Sequence, residues 1–170
     1  MPLQLGASRF SSPSLMLPRL SSASRQSALR EMIEPMAAEG VVEDASRVLT
    51  LAEDRERIAS TALEGGLAFP HVRGIEGGGM VFSLGLSSEG VLFDAALGQR
   101  THIIVFTVVP VAASSLYLRL VSELLQALGH QSSRARLLAS PTASALWRTL
   151  GLRANESKRS EPIRGKRGRS

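Results

Sequence analysis

The chain has 170 residues, 44% of them hydrophobic and 21% charged, enough for one domain with a core of its own and too few for two. It contains no cysteine, which excludes disulfides, thiolate zinc sites, iron–sulfur clusters and thiol nucleophiles. The net charge of +5 resides entirely at the carboxyl end: residues 1–152 carry thirteen arginines against thirteen acidic residues, and residues 153–170 carry seven Lys and Arg against two Glu. A neutral body argues against a broad phosphate-binding face, so nucleic acid is an expected partner only through weak contacts of the tail.

Residues 1–30 hold four arginines among serines and no acid, a composition that overlaps with organellar transit peptides. Pro13 and Pro18 interrupt the only apolar run, Leu15–Leu17, so a secretory signal is missing and a cytoplasmic protein is expected. The stretch from Thr101 to Leu118 lacks Lys, Arg, Asp and Glu but contains His102, Pro110, Ser114 and Ser115, which a lipid-spanning helix does not choose. We therefore expect no membrane insertion. The expected organisation is a flexible segment over 1–13, one domain over 14–152 and a disordered basic tail over 153–170, whose only large apolar residue is Ile163.

In chain order, Leu15–Leu17 reads as a short strand and the serines from Ser21 as a helix cap. Ala28, Leu29, Met32, Ile33, Met36 and Ala37 then form one apolar helical stripe that ends at Gly40, with Pro35 predicting a kinked last turn. A second helix is expected over 43–54, burying Val48, Leu49 and Leu51. Gly65–His71 reads as a short strand that ends at Pro70. Met80–Leu86 and Gly90–Phe93, separated by Ser-Ser-Glu-Gly, read as a hairpin preceded by a flexible Gly77–Gly79. Ile103–Val109 is apolar at nearly every position, as in a strand buried on both faces. Beyond Pro110, Leu118, Val121, Leu124, Leu125 and Leu128 mark an amphipathic helix ending at Gly129, and two shorter helices lie near 133–139 and 142–150. The fold class is α/β (α+β), with a mixed sheet of about five strands flanked by helices on both faces.

Three histidines are the only side chains suited to nucleophilic or proton-transfer work near neutral pH. His102 opens the most apolar strand and reads as a structural residue; His130 follows Gly129 beyond a helix end, where a donor side chain suits the helix dipole. His71 differs, because Pro70 restricts the backbone where a strand stops and presents the ring at a sheet edge, a common place for a site.

The run Arg55-Glu56, then Ser60-Thr61, then Gly66-Leu67-Ala68-Phe69-Pro70-His71-Val72-Arg73 resembles the signature of the fructose/mannitol class of enzyme IIA domains, the type-2 EIIA domains of the bacterial phosphoenolpyruvate-dependent sugar phosphotransferase system, including its nitrogen-regulatory branch. A second block, Gly90-Val91-Leu92-Phe93-Asp94-Ala95 followed by Gly98-Gln99 and the strand to Pro110, is similar to the next part of the same family, and the resemblance spans about residues 14–150. It implies a phosphocarrier. His71 would accept a phosphoryl group from HPr and pass it to an enzyme IIB or a regulatory target, without metal or other cofactor. Arg55 matches the family's arginine and would hold phosphate oxygens. Ser60 and Thr61 either donate to the phosphate or cap a turn, and Arg73 is a weaker candidate for phosphate or partner contact.

Two positions depart from the family pattern. Its second histidine corresponds to Tyr117, whose hydroxyl donates a hydrogen bond but carries no positive charge at pH 7. Its glycine-asparagine is replaced by Glu64-Gly65, and a carboxylate near an incoming phosphate would repel it. The alternative expectation is therefore a degenerate enzyme IIA-like protein that binds partners as a regulator without efficient transfer.

Overall fold

The computed structural model describes residues 6–150; the basic segment 153–170, expected to be disordered, lies outside them. The strands are β1 (Met16–Leu17), β2 (Ala62–Leu63), β3 (Leu67–Ala68), β4 (His71–Arg73), β5 (Val81–Val91) and β6 (Thr101–Val109). The helices are α1 (Arg25–Ala38), α2 (Ala45–Ile58), α3 (Ser114–Leu128), α4 (Gln131–Leu138) and α5, described over 143–150. They form one mixed sheet of six strands in the order β1-β5-β6-β3-β2, with β4 also paired to β6. β3 and β4 run parallel to β6 and β5 runs antiparallel to it.

β6 is the axis of this arrangement. Its side chains alternate between two cores: Ile103, Val105 and Val109 pack with Tyr117, Leu120 and Leu124 of α3, while Ile104, Phe106 and Val108 pack with Leu29, Met32 and Val48 of α1 and α2. Helices thus cover both faces, as the continuous apolar run predicts.

The caps explain where the first helices sit. Ser24 accepts the Ser27 amide at the start of α1, and Asp44 accepts the Arg47 amide at the start of α2. At the end of α1, Gly40 takes a φ of +75° while Val41 N–H donates to Met36 O and Gly40 N–H to Ala37 O, a Schellman closure. α1 continues through Pro35 to Ala38. The Arg25–Glu53 ion pair, at 3.2 Å, joins α1 to α2. α2 extends one turn past the expected end, which places Arg55 and Glu56 inside it.

Three expectations are corrected. Residues 80–93 do not form a hairpin: β5 is one long strand, and Ser-Ser-Glu-Gly is a bulge in it rather than a reversal. Ser87 Oγ accepts the Gly90 amide at 2.9 Å, and the four residues between Leu86 and Val91 stand opposite the single residue, His102, between Thr101 and Ile103. The chain reverses later, through an Asp94-capped turn and Gly98. The strand expected to stop at Pro70 resumes beyond it, because only the proline nitrogen is lost from the ladder and Pro70 O still accepts the Thr107 amide at 3.1 Å. Within the segment 1–13 expected to be flexible, Ala7–Phe10 forms a 3-10 turn with Ala7 fully buried, and Ser11 Oγ donates to Phe82 O at 2.6 Å.

Gly90 and Gly98 both have positive φ, +86° and +66°, but only at Gly90 would a Cβ fall 2.5 Å from the Arg100 Cβ. Gly90→Ala should therefore lower the unfolding free energy by ~1–3 kcal/mol through strain plus the displaced Arg100. Gly98→Ala should cost less. Denaturant titration of the two variants checks the order.

Candidate functional site

β4 begins at His71 and pairs with β6 in the register His71–Thr107, near the carboxyl end of that strand. The side chain is 7% exposed, against the α3 face of the sheet. Its Nδ1 lies 3.2 Å from Phe69 O. A carbonyl only accepts, so Nδ1 carries the proton and the lone pair is on Nε2. Burial is the main influence on the ring and holds its pKa below the usual histidine value; the Phe69 bond acts in the opposite sense, and the positive charges of Arg55 and Arg73 depress it further.

Tyr117 sits on the first turns of α3 with its ring 4.7 Å from that of His71, tilted by 38°. Its hydroxyl donates to the same Phe69 carbonyl at 3.5 Å. Burial pushes the phenol above its ordinary pKa, so the group beside His71 is a neutral donor. Tyr117, expected from the sequence to stand near His71, is therefore its direct neighbour.

Arg55 lies on the last turn of α2, where Nη1 donates to Ala59 O at 3.0 Å. Arg73 is exposed at the end of β4. Among the described residues the ion pairs are Arg25–Glu53 and Arg57–Asp54, so neither Arg55 nor Arg73 is neutralised by a carboxylate. Both guanidiniums remain available to an anion.

The hydroxyls are arranged differently from an anion-binding pair. Ser60 Oγ accepts the Ala62 amide at 3.2 Å, which is the turn-capping alternative. Thr61 donates its hydroxyl to Glu56 Oε1 and its amide to Glu56 Oε2, the latter at 3.0 Å. Thr61 O in turn accepts the Phe69 amide at 3.3 Å. Glu56 is 4% exposed. Sequence reasoning quoted it only as a neighbour of Arg55, although its spacing from Leu49 and Ala52 puts it on the buried stripe of α2.

Glu64 is not beside His71. It is exposed in the turn from β2 to β3, and β3 pairs Leu67 with Ile103 whereas His71 pairs with Thr107. Those four residues of β6 separate the turn from the imidazole by about 13 Å, so the expected repulsion of an incoming phosphate does not arise. The other two histidines serve the backbone: His102 Nδ1 donates to Ser87 O at 2.8 Å across the bulge, and His130 O accepts the Ser133 and Arg134 amides that start α4.

Three exposed apolar side chains rim the elements that carry these groups. Ile58 at the end of α2 is 82% exposed, Val111 beyond β6 is 70% and Leu118 next to Tyr117 is 61%.

Residues 10–151 match the family described as phosphoenolpyruvate-dependent sugar phosphotransferase system, EIIA 2. The sequence is 29% identical over 136 residues to a nitrogen regulatory protein of Pseudomonas aeruginosa, covering 79% of this chain and 88% of that protein. The fold matches nitrogen regulatory protein IIA-Ntr from Neisseria meningitidis with a TM-score of 0.75 at 23% identity, covering 84% and 97% of the two chains. It also matches the Escherichia coli mannitol enzyme IIA, solved in complex with phosphorylated enzyme IIB, with a TM-score of 0.66 at 18% identity and coverage of 82% and 95%.

The lowered pKa of His71 fixes the sign of a pH effect. The unfolded ring binds a proton more readily than the folded one, so the stability that the neutral ring contributes is complete above pH 6.5 and is lost as the pH falls below it through the folded pKa. An NMR titration should place the His71 midpoint below 6.5; a midpoint above 6.5 would contradict the burial argument.

Proposed function

Since the chain belongs to the EIIA 2 family of the phosphoenolpyruvate-dependent sugar phosphotransferase system, over residues 10–151, we propose that it is a phosphocarrier that receives a phosphoryl group on His71 Nε2. The donor is an HPr-like phosphocarrier, and the acceptor is an enzyme IIB or a regulatory target reached in the cytoplasm. No helix among the described residues is long and apolar enough to cross a membrane. The observation that carries this reading is the Nδ1–H···O=C bond from His71 to Phe69, which leaves Nε2 as a nucleophile in the field of two arginines without carboxylate partners among the described residues.

In the transfer step the Nε2 lone pair attacks the donor's phosphorus, the new P–N bond forms and the donor's P–N bond breaks. The proton on Nδ1 stays where Phe69 O holds it. As the His71 ring gains positive character, that hydrogen bond becomes charge-assisted and strengthens. Arg55 and Arg73 offset the negative charge of the phosphoryl oxygens. The ring's burial means that a donor must dock closely.

A second reading rests on Tyr117. A neutral phenol beside the phosphoryl group stabilises it less than a cationic imidazole would, which favours a regulator that binds partners with slow transfer. Intact-mass measurement after incubation with phosphoenolpyruvate, enzyme I and HPr separates the two.

We expect one phosphoryl group on the wild type, none on His71→Ala, and retained labelling on His102→Ala and His130→Ala. Arg55→Ala should slow phosphorylation by roughly 10²-fold, the usual effect of losing one preorganised donor. A label that survives loss of His71 would contradict the assignment, and absence of any label on the wild type would favour the regulator.

A further inference from the structure

We propose that Glu56 is a positioning residue for His71, anchoring a hydrogen-bonded relay through Thr61 and Phe69 that keeps the proton of His71 on Nδ1 and its lone pair on Nε2. The proposal deepens the phosphocarrier reading and rests on it for the rate effects below; the geometry of the ring does not depend on it.

The relay has three links, each between groups of defined polarity. Glu56 accepts two bonds from Thr61, one from its amide at 3.0 Å and one from its hydroxyl. Thr61 O accepts the Phe69 amide at 3.3 Å. Phe69 O accepts His71 Nδ1–H at 3.2 Å and the Tyr117 hydroxyl at 3.5 Å. Within the gap that the pairing with β6 brackets, the Phe69 peptide is thus tied to a residue that Glu56 pins twice.

The carboxylate is the element that needs explaining. Glu56 is 4% exposed and forms no ion pair among the described residues. Burying a carboxylate without a cation is costly unless its oxygens are satisfied by hydrogen bonds. Here each oxygen receives one donor from the same threonine. Each of the two donors thus meets its own carboxylate oxygen, which an apolar side chain does not supply. A leucine at this position would leave both Thr61 donors without an acceptor, and Thr61 would shift. The displacement passes to Phe69 through a single amide bond and then to the carbonyl that selects the His71 tautomer. The relay acts by position, so its effect is read at the imidazole.

The experiment uses the full chain with 15N-labelled histidine. Two-bond 1H–15N spectra identify the protonated ring nitrogen of His71 above its titration midpoint, and single-turnover phosphorylation by phospho-HPr gives the rate. The wild type should show the Nδ1–H tautomer. Glu56→Leu should show a mixture of tautomers and phosphorylate about tenfold more slowly, the loss expected when the reactive tautomer and its orientation are no longer held. Thr61→Val, which keeps the amide and the volume but removes the hydroxyl, should move both readouts in the same direction, and Thr61→Ser should restore them. This pair decides the matter if Glu56→Leu does not fold. A wild-type tautomer in Glu56→Leu or in Thr61→Val, whatever the rate, would overturn the proposal. A tautomer that shifts in the variants while the wild type takes no phosphoryl group would support the relay and instead refute the phosphocarrier reading.

Discussion

The Phe69 carbonyl is the acceptor on which the arrangement at the sheet edge depends. Pro70 follows it and supplies no amide hydrogen, so the ladder between β3 and β4 is interrupted for one step. On either side the pairing with β6 continues, through Ala68 opposite Ile104 and His71 opposite Thr107. The backbone is therefore held rigidly at both ends of a gap in which one carbonyl is turned toward side chains. His71 and Tyr117 both use it. A continuous strand would have committed that oxygen to its neighbour.

From this constraint follows a division of electrostatic labour. Before transfer the site needs a neutral imidazole, and burial together with the two nearby guanidiniums disfavours its protonation. After transfer the site must accommodate a phosphoryl group, and the same guanidiniums then become favourable. In the proposed transfer Arg55 and Arg73 would serve both states, since neither is tied to a carboxylate among the described residues. Tyr117 contributes a packed ring and a hydroxyl but no charge, since burial keeps the phenol protonated. A cation at that position would lower the His71 pKa further and bind the phosphoryl group more strongly.

Much of this was legible in the residues. The uninterrupted apolar run of β6 identified the central strand, and the stripe of α1 with Gly40 beyond it located a helix and its closure. The Ala-Phe-Pro-His junction pointed to the histidine at a strand end, with its family resemblance supplying Arg55, Thr61 and Tyr117 as companions. What escaped the reading depends on contacts distant in the chain. Ser-Ser-Glu-Gly has the composition of a hairpin turn, and only the bond from His102 to Ser87 O and the packing of Arg100 beside Gly90 make it a bulge. Glu64 looked close to His71 by number, but the parallel pairing of β3 and β4 with β6 carries the two apart along the strand. Thr61 was read as a phosphate or cap donor because its bond to Glu56 joins the end of a helix to the start of a strand, where periodicity says nothing about side-chain direction.

The central claim is that Phe69 O holds the His71 proton on Nδ1, so that Nε2 is the atom that forms the bond to phosphorus. Long-range 1H–15N correlation on the phosphorylated, 15N-histidine-labelled protein identifies the bonded nitrogen directly. The account predicts Nε2-phosphohistidine at residue 71, with the Nδ1 proton retained. Phosphorus on Nδ1 would require the bond to Phe69 O to be absent in the reactive state and would contradict it.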